Sequence, residues 1–348
     1  MAAPEQFVVP SKKLVRRAGD VLAGRSDSMP LHDAMDILSC WRSLHTYPIN
    51  TLQAYLRGVL KRNKFTGHIV AQRLKRTPSI VQKLSRFPGM ALDRMQDIGG
   101  LRVIVSSVAD VKRLHNLIIS SKRIKHQLEL PAYDYIAVPK SDGYRSLHQV
   151  LKFQNFAHGE LNGLRLEIQI RTKLQHSWAT AVETLGMIQK SSIKTGGGDE
   201  VTKRFFKIIS ALFAIDEGCP VAPDLAGIGY EKLVEELKDI EDKTNILSQL
   251  EGVAVSAKHI ETITKDYTGY RVIQLFIAEK RVRLTEFEQP QDAESFYRSK
   301  EIETREDPNV AVVLMSAGAL KDVRKAYPNY FLDTRSFIQN VRRIAYGK

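Results

Sequence analysis

From about residue 68 to residue 187, short β-type runs alternate with helical stretches, and no other feature restricts the fold as much. HIVAQRLKR leads into a helix at PSIVQKLSRF, and LRVIVSS leads into a helix at ADVKRLHNLII. YDYIAV, RSLHQVLKF and LRLEIQIR precede a helix from about Lys173 to Met187. In LRLEIQIR, residues 164–171, apolar Leu166, Ile168 and Ile170 alternate with Glu167, Gln169 and Arg171. A strand sets those three polar side chains on one face. The pattern predicts an α/β (α+β) sheet domain. Residues 11–64 read as helices bounded near Pro30, Pro48 and Asn50-Thr51. TGGGDE at 195–200 reads as a flexible break, followed by a helix through Phe205 to Ala214. GCPVAPDLAGIG at 218–229 reads as a second boundary. Beyond it the pattern predicts a helix at about 230–250, strands in YRVIQLFIAE, RVRLTEFE and NVAVVLMSAG, and helices near 291–301, 319–326 and 334–345. The expected organisation is therefore a domain over 1–200, a helix and linker over 201–229, and a small α/β domain over 230–348.

Charge separates the same halves. Residues 1–200 carry 30 Lys/Arg against 16 Asp/Glu, and residues 201–348 carry 22 against 23. Residues 51–150 alone carry 18 against 6, a block that attracts a polyanion. Part of it has a fixed rhythm. Lys75, Ser79 and Lys83 are four apart, as on one helix face, and Arg73 and Lys75 are two apart, as on one strand face. A strand leading into a helix would aim cations and a hydroxyl at one spot, a geometry suited to a triphosphate; a solvated basic helix is the plain alternative. A Walker glycine loop is absent, which excludes a P-loop. The two cysteines, Cys40 and Cys219, form neither a zinc site nor a disulfide framework and suit a reducing cytoplasm. No apolar run reaches the roughly 18–20 residues of a membrane span. The N-terminus lacks the order of a signal peptide.

Three further segments make the reading specific. DIGGLRVIV puts Asp97 before a glycine pair that opens a buried strand. DYIAVPKSDGYRSLH is a turn with Lys140, Tyr144, Arg145 and His148. LRLEIQIRTKLQHSWA holds Glu167, Gln169 and His176. Together with the Arg73 segment, they resemble the synthetase domain of the RelA/SpoT family, the alarmone synthetases, over about residues 40–190. The resemblance implies a nucleotidyltransferase-like mixed-sheet domain with N-terminal helices, which transfers pyrophosphate from ATP to a nucleotide hydroxyl. It further implies that Arg73, Lys75, Ser79, Lys83 and Arg86 hold the ATP phosphates and that Arg73 and Arg102 sandwich adenine. It makes Asp97 a Mg²⁺ carboxylate and Glu167 a second one, binding metal or activating the attacking 3′-hydroxyl. Tyr144 would stack on the acceptor base, with Lys140, His148, Gln169 and His176 as further acceptor contacts. Trp178 reads as core. His32-Asp33 reads as a helical surface pair and not as part of a hydrolase centre.

Tyr327-Pro328-Asn329-Tyr330 near the C-terminus could present two tyrosines from one knob, or anchor the small domain's core. The segment resembles the YxxY motif of CapRel-type fused toxin–antitoxin members of the family. In those, a C-terminal pseudo-zinc-finger domain places its tyrosines in the adenosine pocket. That likeness implies an autoinhibited enzyme acting on the tRNA 3′-CCA end, released by a phage protein at the C-terminal domain; the fused regulatory domain suits a monomer, as the two cysteines suit the cytoplasm. A (p)ppGpp synthetase using GTP or GDP, and an inactive nucleotide or RNA sensor, are the alternatives.

Overall fold

In the computed structural model the described residues are 9–75, 77–191, 200–247, 250–251, 269–276, 279, 281–304, 307, 310–316 and 330–347. They divide into two compact units. One comprises residues 1–134 and 146–172, the other residues 135–145 and 173–348.

The first unit opens with three helices, α1 (Lys12–Leu22), α2 (Leu31–Ser43) and α3 (Thr46–Arg62). Ser11 caps α1 by accepting the Leu14 N–H at 3.2 Å. Val15, Ala18, Gly19 and Leu22 form its buried stripe. Pro48 was expected at a helix boundary but sits inside the first turn of α3, where a missing N–H costs no helical bond. Five strands follow: β1 (Ile69–Leu74), β2 (Gly99–Val105), β3 (Gln127–Asp134), β4 (Leu147–Lys152) and β5 (Arg165–Thr172). Two helices join them, α4 (Thr77–Arg86) and α5 (Val108–Ile119). The sheet order is β1-β2-β5-β4-β3, with β2 and β5 parallel and every other pair antiparallel. It is the mixed sheet expected.

One strand is displaced from its expected place. β3 ends at Asp134, and Tyr135–Val138 leave the sheet, whereas the strand was expected over 133–138. As an edge strand β3 tolerates Pro131, which hid it from the pattern.

Register decides what the sheet presents. Arg73 lies opposite Gly100, Gly100 beside Glu167, Arg102 beside Gln169, and Gln169 opposite His148. These residues share one face. Gly100 is required there, because a Cβ would overlap the Glu167 carbonyl oxygen. Gly99 is required on the other face, where a Cβ would come within 2.8 Å of the His45 Cβ and 2.9 Å of the Ile49 Cδ1.

The second unit gathers α6 (Lys173–Ser191), α7 (Glu200–Asp216), α8 (Tyr230–Thr244) and α10 (Tyr330–Tyr346) around one apolar core. Trp178, Phe205, Phe213, Leu237 and Phe337 lie within it, so Trp178 is core as expected. Residues 218–229, expected as a linker, run between α7 and α8 inside this unit, with Leu225 buried. A three-stranded antiparallel sheet, β6 (Tyr270–Phe276), β7 (Arg281–Phe287) and β8 (Val310–Ser316), has the order β7-β6-β8 and is covered by α9 (Pro290–Glu303). α8 stops at Asn245, whose left-handed φ of 52° ends the helix before the expected residue 250. The helix expected near 319–326 and Tyr327 lie outside the described residues, as does the Tyr330 side chain.

Candidate functional site

Asp97 stands at the mouth of the first unit's sheet, two residues before β2. Lys75 Nζ donates to its Oδ2 and Lys83 Nζ to its Oδ1, each at 2.8 Å. Lys75 is not on a helix with Ser79 and Lys83, as the four-residue spacing suggested. Helix α4 starts at Thr77 with Pro78 in its first turn, so Lys75 stands between the two elements, just past the end of β1. Its backbone is fixed on both sides, the N–H donating to Ile98 O at 2.7 Å and the carbonyl accepting from Arg42 Nε at 2.9 Å. The lysine just past β1 and the lysine on α4 thus converge on one carboxylate.

Burial raises the Asp97 carboxyl, but the two ammonium groups outweigh it and hold the group at about 2. Burial lowers the Lys75 ammonium below its usual range, against the pull of Asp97.

Glu167 is fixed as firmly. His148 Nδ1 meets its Oε1 at 2.8 Å and Gln169 Nε2 donates to its Oε2 at 2.6 Å. Arg171 Nη2 donates to Gln169 Oε1 at 2.8 Å, and Arg171 Nε reaches Ser146 Oγ at 3.3 Å. Burial raises Glu167 too, but hydrogen bonding and charge from His148, with help from Gln169, bring it to about 2. His148 and Gln169, expected as acceptor contacts, are the two side chains that orient this carboxylate. Arg171, which the alternation sets on the face of Glu167 and Gln169, extends the network, together with Ser146, which was not singled out in the sequence. The period-two pattern set Arg171 on this face but assigned it no role in the site.

The other expected residues fall as follows. Arg73 and Arg102 share the same sheet face, diagonal across β1 and β2 with Gly100 between them. Ser79 lies on α4 one turn before Lys83. Arg86 is exposed at the end of α4, its guanidinium 5.5 Å from the Phe87 ring centroid. Lys140, Tyr144 and His176 belong to the second unit. His176 is buried on α6. Lys140 Nζ stands 4.3 Å from the Tyr135 ring centroid and 5.2 Å from that of Tyr144. His32 and Asp33 form an exposed pair on α2 at 2.8 Å, as a surface pair would.

Asp97 and Glu167 supply hard oxygen donors of the kind Mg²⁺ takes alongside substrate phosphates. Among the described residues no three His, Cys, Asp or Glu side chains gather into a protein-only metal cage. No helix among them is long and apolar enough to cross a membrane.

A family model described as "Region found in RelA / SpoT proteins" matches residues 72–188, the segment that holds both carboxylates. GTP pyrophosphokinase YjbM of Bacillus subtilis is 32% identical over 151 residues, 42% of this chain and 68% of that protein. GTP pyrophosphokinase YwaC of the same organism is 32% identical over 114 residues, 31% of this chain and 52% of that protein, so the chain spans about half its length. Among solved structures, small alarmone synthetase 1 from Bacillus subtilis bound to its product pppGpp is 26% identical. It covers 50% of this chain and 90% of that one, with a TM-score of 0.43.

Proposed function

The chain belongs to the RelA/SpoT family and is a diphosphotransferase of its pyrophosphokinase type; from that premise we propose that it moves the pyrophosphate group of ATP onto the 3′-hydroxyl of the tRNA 3′-CCA end. The observation that carries the pyrophosphokinase reading is the pair of pinned carboxylates, Asp97 between Lys75 and Lys83 and Glu167 between His148 and Gln169.

The chemistry follows from charge. Attack on the β-phosphorus builds negative charge on phosphoryl oxygens that already repel a nucleophile, so catalysis rests on positioning and neutralisation. Lys75, Ser79, Lys83 and Arg86 would hold the phosphates, and Arg73 and Arg102 would offer planar guanidinium groups to adenine. Asp97 and Glu167 would hold Mg²⁺, which neutralises phosphate charge when bound. A carboxylate held at about 2 is a poor proton acceptor at neutral pH and a good ligand for a cation. This favours the metal-holding role for Glu167 over abstraction of the 3′-hydroxyl proton. Lys140, Tyr144 and His176 would meet the acceptor.

For the acceptor, the supporting observation is the surplus of positive charge. Of the 18 Lys/Arg in residues 51–150, five belong to the proposed ATP set. Distributed cations beyond that set suit a nucleic-acid backbone. The names of the curated relatives favour a second reading, transfer to GTP or GDP as in the stringent response. Incubation with γ-labelled ATP and deacylated tRNA, GDP and GTP separates the two. Label on tRNA is expected, whereas label on GDP or GTP alone overturns the tRNA assignment. No transfer and no AMP would leave the inactive sensor.

The near-neutral second half supports a controlling role, with Tyr327 and Tyr330 blocking the adenosine pocket until a phage protein binds the C-terminal domain. Replacing both tyrosines by alanine should raise basal label transfer about tenfold. Unchanged basal transfer would make them packing residues.

A further inference from the structure

Lys140 and Tyr144 lie on a tight turn whose underside is built from buried polar groups that the chemistry above does not use. Within the turn, the Gly143 N–H donates to Lys140 O at 2.9 Å and the Tyr144 N–H to Asp142 Oδ1 at 2.9 Å. Gly143 has a φ of +90° and lies so close to α7 that a Cβ would come within 3.1 Å of the Ser210 Cβ. Ser210 Oγ donates to the Gly143 carbonyl. Next in the chain, Arg145 Nη1 meets Glu217 Oε2 at 2.6 Å, with 2% and 9% of the two side chains exposed. Gln175 Nε2, from α6, donates to the same oxygen at 3.0 Å. On its other side Tyr144 meets Trp178 and Tyr135 edge-on, with ring centroids 6.4 and 6.0 Å apart.

Glu217 immediately follows the last residue of α7, Asp216, which pairs with Arg343 of α10 at 2.9 Å. Phe337 of α10 lies against Phe206 and Phe213 of α7, with centroids 5.8 and 6.1 Å apart. The anchor of the turn is therefore itself seated in the helical core.

A buried Arg–Glu pair is a poor device for stability alone, because apolar residues of the same volume serve as well or better. What the pair does supply is a fixed direction and distance at the base of one short turn. We propose that Arg145, Glu217 and Ser210 are positioning residues that hold Lys140 and Tyr144 in the geometry the acceptor requires, and that they make this geometry depend on the end of α7. The acceptor half of this inference rests on the reading of Lys140 and Tyr144 as acceptor contacts.

The test uses the full chain and two readouts. By hydrogen exchange, amides of residues 139–145 should exchange about tenfold faster in Glu217→Gln and about threefold faster in Ser210→Ala, with α5 unchanged. In steady-state kinetics, with deacylated tRNA, GDP or GTP as whichever takes the label, Glu217→Gln should raise the acceptor KM about tenfold and leave the ATP KM within twofold. Unchanged exchange at 139–145 in both variants overturns the proposal, as does an equal rise in both KM values. If Glu217→Gln does not fold, Ser210→Ala decides by the same two readouts. Tyr144→Ala separates the readings. An unchanged acceptor KM there removes the acceptor role of the turn, while the exchange experiment still decides the clamp.

Discussion

Asp97 and Glu167 in the sheet unit and Glu241 in the helical unit are all withdrawn from water, yet they end in opposite states. Burial is the largest influence on each, and it always favours the neutral acid. In the sheet unit two ammonium groups meet Asp97, and an imidazole with an amide meets Glu167. Both carboxyls are held at about 2. Glu241, on α8, accepts the Leu247 N–H at 3.1 Å just past the left-handed Asn245, and it is pushed up to about 7. Its principal partner is a backbone amide, with Arg342 acting only through space. Partners, not depth, decide whether such a carboxyl is held as an anion or as a neutral acid.

The largest effect expected is at the sheet carboxylates. Asp97→Asn and Glu167→Gln should each lower label transfer by about 10³-fold or more, since on the proposed reading they remove the carboxylates that would hold Mg²⁺ beside the reacting phosphates. Retention of a tenth of the activity would break the contrast. Lys75→Met leaves Asp97 with one ammonium group and should cost about 10²-fold in kcat/KM; an unchanged rate would mean that Lys83 suffices. Gln169→Leu leaves Glu167 oriented by His148 alone and should cost about tenfold, read as kcat at saturating ATP.

The smallest effect is on stability. The unfolded Glu241 ionises near the ordinary carboxylate range while the folded group keeps its proton to about 7. This contribution to stability is therefore lost as pH rises from the ordinary value through about 7. Glu241→Gln should match the parent in Tm near pH 4.5 and exceed it at pH 8 by a few degrees, about 3 kcal/mol. Asp97 and Glu167 have the reverse sign, with a contribution complete above the ordinary carboxylate range and lost as pH falls through about 2. A Tm difference for Glu241→Gln that did not grow with pH would remove the contrast between the units.

Much of the sheet was legible because its inner strands follow simple rules. Period-two alternation located β5 and the face of Glu167, Gln169 and Arg171. The glycine pair followed by the β-type run LRVIV located β2, all seven residues of which are buried. The edge strand β3 was harder to read, because Leu130 and Tyr133 are exposed and Pro131 interrupts the run. At the candidate site the residues around the two carboxylates were legible singly and illegible as an arrangement. Lys75 and Lys83 suggested one helix face, but they meet through the pairing of β1 on β2 and the return of α4, which no local spacing encodes. Likewise, nothing in the spacing of Arg145 and Glu217, 72 residues apart, announces their pairing.

Gly99 and Gly100 limit what mutation can do to this chain. Each is needed on a different side of β2, one against the His45–Ile49 segment and the other against the Glu167 carbonyl. A change at one therefore cannot be relieved by an adjustment at the other. The obstacle at Gly100 is main chain, which no nearby side-chain replacement can remove. The doublet is a point of zero tolerance between two surfaces that can each vary elsewhere. A saturation library at these two codons should return glycine at position 100 in every active clone. Position 99 should stay glycine even when residue 49 is shortened, because the His45 Cβ would still stand 2.8 Å from the new Cβ.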